Sequence, residues 1–249
     1  MIIIKSPSEI ELLRKAGKLV AQTHELMKKH VRPGITTLEL DRIAEEFFAK
    51  CGAKPSFKGY YGFPASICTS RNSEVVHGIP SEDIILQDGD IISIDCGAIL
   101  NGYHGDAART FPVGKVSEEA KKLIQVTKKS FFTGVEKAIV GNRLTDISSA
   151  IQQYAEGFDY SVVRDYVGHG IGKEMHEDPE VPNFGRPGRG PKLIKGMVLA
   201  IEPMVNVGDY HVEVKPNGWT VVTKDNSLSA HYENTVAILD NGPEILTLI

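Results

Sequence analysis

The chain has 249 residues, 41% hydrophobic and 24% charged, which suits one sizeable core or two tightly joined half-domains and excludes disorder. Its 28 Lys+Arg against 32 Asp+Glu leave a net charge of −4, which removes any bulk attraction to DNA, RNA or an anionic membrane. The opening MIIIKSPSEI fits neither a secretion signal nor an anchor, no later apolar run approaches the ~20 residues of a membrane helix, and Cys51, Cys68 and Cys96 lack metal-type or CxxC spacing, so reduced thiols and a cytoplasmic location are expected.

Ser6-Pro7-Ser8-Glu9 is a capping box with proline at the first helical position, and Leu12, Leu13, Ala16, Leu19, Val20 and Leu26 carry an amphipathic helix onward. After Arg32-Pro33-Gly34, Thr36 and Glu39 open a second capping box, with Leu40, Ile43, Ala44 and Phe47 as the buried stripe until Gly52. Residues 91–114 are β-rich. Ser117-Glu118-Glu119 starts a third helix, the stretch after Leu144 a fourth, and residues 197–205, 219–223 and 231–239 supply further strands.

The order is helices then strands, twice. Gly34 and Gly141, Glu39 and Asp146, Leu40 and Ile147, Gly89 and Gly196, Ile94 and Ile201, and Asp95 and Glu202 are each 107 positions apart. This register predicts a duplicated α+β unit, residues 6–106 and 113–213 approximately, inside a single domain over 1–249. Two such halves about a pseudo-two-fold would point Asp95 and Glu202 into one central site.

Asn101-Gly102 is the dipeptide that best supports a type I′ hairpin turn. With Leu100 opposite Tyr103, Gly97 falls opposite Asp106, and Asp95 shares its face as a diagonal neighbour, roughly 7–8 Å away. Turn-stabilising or solvated aspartates are the ordinary reading of such a pair. Here, however, Asp95 follows Asp90-Ile91-Ile92-Ser93-Ile94 at the inner end of an otherwise apolar strand, Glu202 ends Met197-Val198-Leu199-Ala200-Ile201, and Glu233 is embedded in His231-Tyr232-Glu233-Asn234-Thr235-Val236-Ala237. Charges at such positions are costly without a cation or a shared proton between them. His169, between Gly168 and Gly170, is expected on a ligand-presenting loop. Four carboxylates and an imidazole, without thiolates, suit first-row divalent ions.

These residues resemble the type I methionine aminopeptidases, from Pro33-Gly34 through the aspartate hairpin and Gly168-His169-Gly170-Ile171-Gly172 to Glu202-Pro203-Met204 and Tyr232-Glu233-Asn234-Thr235. The resemblance implies a pita-bread fold, an α+β architecture of two pseudo-symmetric halves with a curved antiparallel sheet and outer helices. It implies removal of initiator methionine from nascent polypeptides by metal-activated water. By matching position, Asp95, Asp106, His169, Glu202 and Glu233 would hold two divalent ions (Co, Mn, Fe or Zn), with Asp106 and Glu233 bridging. Glu202 would also shuttle a proton, His176 would stabilise the tetrahedral intermediate, and His77 would act near the scissile amide. Phe57, Tyr60, Phe63, Cys68, Met175 and Trp219 would line the methionine pocket. Where many members have histidine this chain has Asn234, and Phe63 and Met175 replace the tyrosine and phenylalanine of some members. The chain resembles the short bacterial form, a cytoplasmic monomer with transient contact at the ribosome, for which the basic stretch 184–192 is a candidate, though such stretches are usually solvated loops.

Three other readings stand beside this one. X-Pro peptidases share the fold but usually carry a large N-terminal domain. A pita-bread binding protein would have lost metal ligands, whereas all five are here. A glycoside hydrolase using Asp95 and Asp106 would need an aromatic sugar cleft, and the chain has one Trp.

Overall fold

In the computed structural model, which describes residues 1–249, the first two helices begin where the sequence offers caps for their free N–H groups. In α1 (Pro7–His30) the Ser6 hydroxyl accepts from the Glu9 N–H, and Glu9 accepts from the Ser6 N–H at 2.8 Å. α2 (Thr37–Lys50) repeats the device with Thr36 and Glu39. Its buried stripe departs from expectation. Leu40, Ala44 and Phe48 are fully buried, while Ile43 and Phe47 are only partly covered, because the i, i+4, i+8 row is the one facing the sheet. The same face buries Asp41, whose carboxylate accepts from the Ser66 and Ile67 N–H groups at 2.8 and 3.0 Å and ties the segment leading into the strand at Cys68 to the helix.

β1 (Lys54–Pro55), a 3₁₀ turn (Tyr60–Gly62), β2 (Cys68–Arg71) and β3 (Glu74–Val76) lead to the long hairpin of β4 (Ile91–Leu100) and β5 (Tyr103–Pro112). Asn101 and Gly102 take φ of 53° and 79°, as a type I′ turn requires, and Leu100 pairs with Tyr103 and Gly97 with Asp106. On its other edge β4 pairs with β1 and β2. Met27, Leu40, Phe48, Ile67, Ile92 and Ile94 join α1, α2 and this sheet in one core.

α3 (Glu118–Val135), capped by Ser117, and α4 (Leu144–Glu156) open the second half. Then come β6 (Ser161–Val162), β7 (Gly168–Gly170), β8 (Glu177–Val181), β9 (Val198–Ile201), β10 (Met204–Asn206), β11 (Val212–Val214), β12 (Val221–Thr223), β13 (Ser229–His231), β14 (Asn234–Leu239) and β15 (Gly242–Ile245). An antiparallel sheet of order β15-β14-β9-β7-β8 is joined by smaller ones of order β13-β10-β6 and β11-β12-β3. Leu123, Phe131, Ile147, Ile151, Leu199 and Ile201 form the second core.

Backbone bonds recur at the spacing read in the sequence. The Gly34 N–H donates to Leu86 O and the Leu86 N–H to Ile35 O, at 2.8 and 2.9 Å. The Gly141 N–H donates to Leu193 O and the Leu193 N–H to Asn142 O, at 3.0 and 2.8 Å, each atom 107 positions on. Isolated bridges Thr36 to Ile85 and Arg143 to Lys192 keep the same offset. No helix is long and apolar enough to cross a membrane.

Candidate active site

The β4–β5 hairpin sets Asp95 and Asp106 on one face, as the register predicted. Glu202 follows the end of its strand, as the sequence suggests, whereas Glu233 lies at a strand break rather than within a strand. Ile201 pairs with Asn234 and Met204 with His231, so the interruptions at Glu202-Pro203 and Tyr232-Glu233 face each other. Proline has no N–H for the ladder, so the chain changes sheet there, and the Tyr232 N–H is satisfied by Pro203 O at 3.1 Å. The Glu233 N–H reaches across to Ala108 O at 3.0 Å, and Arg109 donates to Glu233 O, joining the two halves behind the carboxylates.

His169 is also placed differently, on β7 of the five-stranded sheet and not on a loop. Its flanking glycines serve close approach rather than unusual dihedrals. A Cβ on Gly168 would strike Ala200 O, and one on Gly170 would strike Asp178 O. His169 Nδ1 lies 2.9 Å from Gly170 O, and a carbonyl only accepts, so Nδ1 carries the proton and Nε2 turns its lone pair to the carboxylates. Nε2 stands 3.8 Å from Asp106 Oδ2 and 3.6 Å from Glu202 Oε1.

Donor atoms of Asp106, His169 and Glu233 lie within 4.8 Å of one another, and so do those of Asp95, His231 and Glu233. Asp95 Oδ1, Asp106 Oδ1, Glu233 Oε1 and His231 Nε2 are buried without a hydrogen-bond partner. Burial, reinforced by neighbouring carboxylates, pushes Asp95, Glu202 and Glu233 well above the usual range. Burial carries Asp106 up to about 7, against hydrogen bonds from Asp95 and the Ala107 N–H. Burial likewise pushes His169 and His231 down to about 3. Proteins seldom leave so many buried polar atoms unpaired, and a divalent cation satisfies them together. The donor set of carboxylate oxygens and neutral imidazoles fits that group.

Above this floor opens a cleft of about 220 Å³, lined by 14 residues. They include every site residue read from the sequence, with Tyr61 in addition. Phe57, Phe63, Cys68 and Met175 form a buried apolar cluster against which Tyr60 and Trp219 pack. Trp219 meets Phe63 edge-on at 5.2 Å between ring centroids. Tyr60 has a second task, since its hydroxyl lies 2.8 Å from His176 Nδ1. His77 adopts φ 59°, a conformation uncommon outside glycine, and stands edge-on to Tyr166 and Trp219. Burial lowers His77 to about 4 and also lowers His176, so both are neutral near pH 7.

Sequence reasoning passed over His231, which faces Glu202 Oε2 at 3.7 Å and Glu233 Oε2 at 3.8 Å. Only its position two residues before Glu233, on the same strand face, could have signalled it. The stretch 184–192 is exposed at most positions but tied down: the Arg189 N–H donates to Thr145 Oγ1 at 2.8 Å and the Gly188 N–H to Asp146 Oδ1 at 2.7 Å.

The model of metallopeptidase family M24 matches residues 11–240. A methionine aminopeptidase of Clostridium acetobutylicum is 72% identical over 248 residues, spanning 100% of this chain and 99% of its own. The crystal structure of methionine aminopeptidase from Thermotoga maritima superposes with a TM-score of 0.98 at 48% identity, with 100% of both chains covered. Prolidase from Pyrococcus furiosus gives 0.81 at 25% identity, covering 99% of this chain and 66% of its own. The fold is therefore the expected pita-bread arrangement of helices around antiparallel sheets. By the extent of the family match and the identity to full-length relatives, the chain belongs to metallopeptidase family M24, in its methionine aminopeptidase branch, and uses divalent metal for hydrolysis.

Proposed function

We propose that the cleft removes the initiator methionine from nascent polypeptides, with Asp95, Asp106, His169, Glu202 and Glu233 holding two divalent ions. The unpaired buried oxygens of Asp95, Asp106 and Glu233, directly beneath an apolar pocket, carry this reading. When bound, the ions supply Lewis acidity and lower the pKa of a water molecule. The chain's own residues do the rest.

Phe57, Tyr60, Phe63, Cys68, Met175 and Trp219 take up the methionine side chain, whose polarizable thioether suits aromatic and sulfur neighbours. Glu202 accepts a proton at a carboxylate oxygen and returns it to the leaving amine, a role suited to a carboxylate whose proton affinity burial has raised. The Tyr60 hydroxyl donates to His176 Nδ1, which leaves the proton on Nε2 for the developing oxyanion. His77 borders the same space and binds the scissile amide. The recurring bonds at a spacing of 107 support a single catalytic domain with an internal repeat over 6–106 and 113–213. The protein works as a cytoplasmic monomer, with the exposed basic stretch 184–192 touching the ribosome transiently.

The test is release of free methionine from Met-Gly-Met by chelated protein, before and after adding back Mn, Co or Fe, beside an X-Pro peptide. Metal-restored release from the first peptide alone is expected. Release only from the X-Pro peptide would transfer the chain's chemistry to the prolidase type, and binding without release would favour a non-catalytic role.

A further inference from the structure

Residues 1–5 belong to no helix or strand, yet Lys5 makes the one Lys or Arg ion pair buried at both ends: the side chains of Lys5 and Glu177 are 3% and 4% exposed. Desolvating two charges is unfavourable unless their geometry is good and the spare donors and acceptors are used. Lys5 Nζ contacts Glu177 Oε2 and also donates to Ile3 O at 3.0 Å, while the Lys5 N–H donates to Gly196 O at 2.8 Å. Glu177 Oε1 accepts from the Glu174 N–H at 3.4 Å. There is no slack around the pair, since a Cβ on Gly172 would lie 2.6 Å from Lys5 Cε.

Glu177 directly follows His176, opens β8 opposite Gly170 and closes the β7–β8 connection, whose part after the buried Ile171 is 172–176. Lys173, Glu174 and His176 are exposed, and Met175 alone among the loop's side chains enters the buried pocket cluster. The loop's other ties are the Gly172 N–H to Glu174 O at 3.1 Å, the His104 N–H to Gly172 O at 2.9 Å, and the His176 ring, which meets the Tyr60 hydroxyl at 2.8 Å and stands edge-on to His169 at 4.2 Å. With so little apolar packing, this segment would open at low free energy unless something fixed its far end. Glu177 is at that end.

We propose that Lys5 is a positioning residue for the peptidase reaction: its buried pair with Glu177 clamps the loop so that Met175 stays in the pocket and His176 stays beside the floor. The clamp rests on the catalytic reading of His176. It acts through the loop and touches neither the floor carboxylates nor the substrate.

Three variants, Lys5→Met, Lys5→Arg and the double Lys5→Met/Glu177→Leu, test it by hydrogen exchange, calorimetric Mn titration and kinetics on Met-Gly-Met well below melting. In Lys5→Met, exchange in 172–177 rises by about tenfold while 91–112 is unchanged. Mn affinity stays within about twofold, unlike the 10–100-fold typical of disturbed metal surroundings. kcat/KM falls by about tenfold, chiefly in kcat. Lys5→Arg, which keeps the charge but carries a bulkier head into a space without slack, recovers only part of that loss. The double variant, whose apolar pair replaces the buried charges, regains wild-type melting but not loop protection, because the Glu174 N–H has lost its acceptor; it carries the test if Lys5→Met does not fold. Wild-type exchange and kcat in these variants would reduce the pair to a structural tie, and a parallel loss of Mn affinity would show a disturbance of the floor instead. If the wild-type protein releases no methionine with any metal, the peptidase reading falls, while the exchange measurement still decides the clamp.

Discussion

The floor of the cleft hangs from paired strands, and its wall hangs from loops. Asp95 and Asp106 are fixed by a ten-residue ladder, and Glu202 and Glu233 by two strand courses that break at the same level. Tyr60, Phe63 and Trp219 depend instead on short turns and on one another. A rigid support suits groups that must converge within a few ångströms on a cation, and loops suit a surface that must fit a side chain. Substitutions in the floor should therefore strike metal binding and kcat together, and those in the wall should strike KM.

Asp106→Asn is the strongest way to break this contrast. Asp106 has an unpaired buried oxygen and lies between His169 and Asp95. Its loss removes charge from a site that must neutralise divalent ions, so kcat/KM should fall by about 10³-fold or more, roughly 4 kcal/mol. The metal-free protein should melt no lower than wild type, since repulsion among buried carboxylates is relieved, while the rise in Tm on adding Mn should vanish. A near wild-type titration and turnover would remove Asp106 from the ligand set.

How far each region could be read from sequence follows the same division. Asn101-Gly102 specifies a turn, the turn specifies a register, and the register places Asp95 beside Asp106 without further information. Both first-half capping boxes were equally legible, because they are local in sequence. The wall was found only through the family resemblance: no periodicity links Phe57, Met175 and Trp219, which meet only after two halves fold. Tyr61 and the Asp41 anchor carry no sequence signal for the same reason, since their partners are set by tertiary contacts. His169 was legible as a residue but misplaced, because a short Gly-flanked strand in the middle of a sheet looks like a loop in sequence. The strand end at Glu202 is legible, whereas the break at Glu233 is not, since no local signal marks an interruption that two strands share.

Beneath the floor, α1 presents His24 with Nε2 2.8 Å from Ala107 O, so this nitrogen carries the proton, and Nδ1 has no partner. Burial holds this imidazole neutral down to about 3. The unfolded chain takes up the proton near 6.5 while the folded chain does not, so the stabilisation is complete above pH 6.5 and is lost as pH falls from 6.5 toward 3. At pH 5 the loss is about 2 kcal/mol from this one group. Urea unfolding of wild type and His24→Gln at pH 8 and pH 5 measures it: the variant should lose less stability on acidification. An equal loss in both would show that the acid sensitivity under the floor arises elsewhere.

The wall gives the smallest effect and the sharpest contrast in kind. Trp219 is half-buried, meets Phe63 at 5.2 Å and His77 at 6.5 Å, and has its backbone held by a hydrogen bond from the Trp219 N–H to Asn217 Oδ1 at 3.0 Å. That turn does not need the indole, so Trp219→Ala should fold and should leave Mn affinity unchanged. It removes one aromatic face from the methionine site, and a lost pocket contact of this kind is worth about 1–3 kcal/mol. KM for Met-Gly-Met should rise by about tenfold with kcat changed by less than about threefold, because the contact is made equally to bound substrate and transition state. Peptides with a larger apolar first residue should lose less, since the missing ring leaves room for them. A fall confined to kcat would instead mean that Trp219 acts through His77, and the division between a chemical floor and a binding wall would have to be redrawn at that edge-on contact.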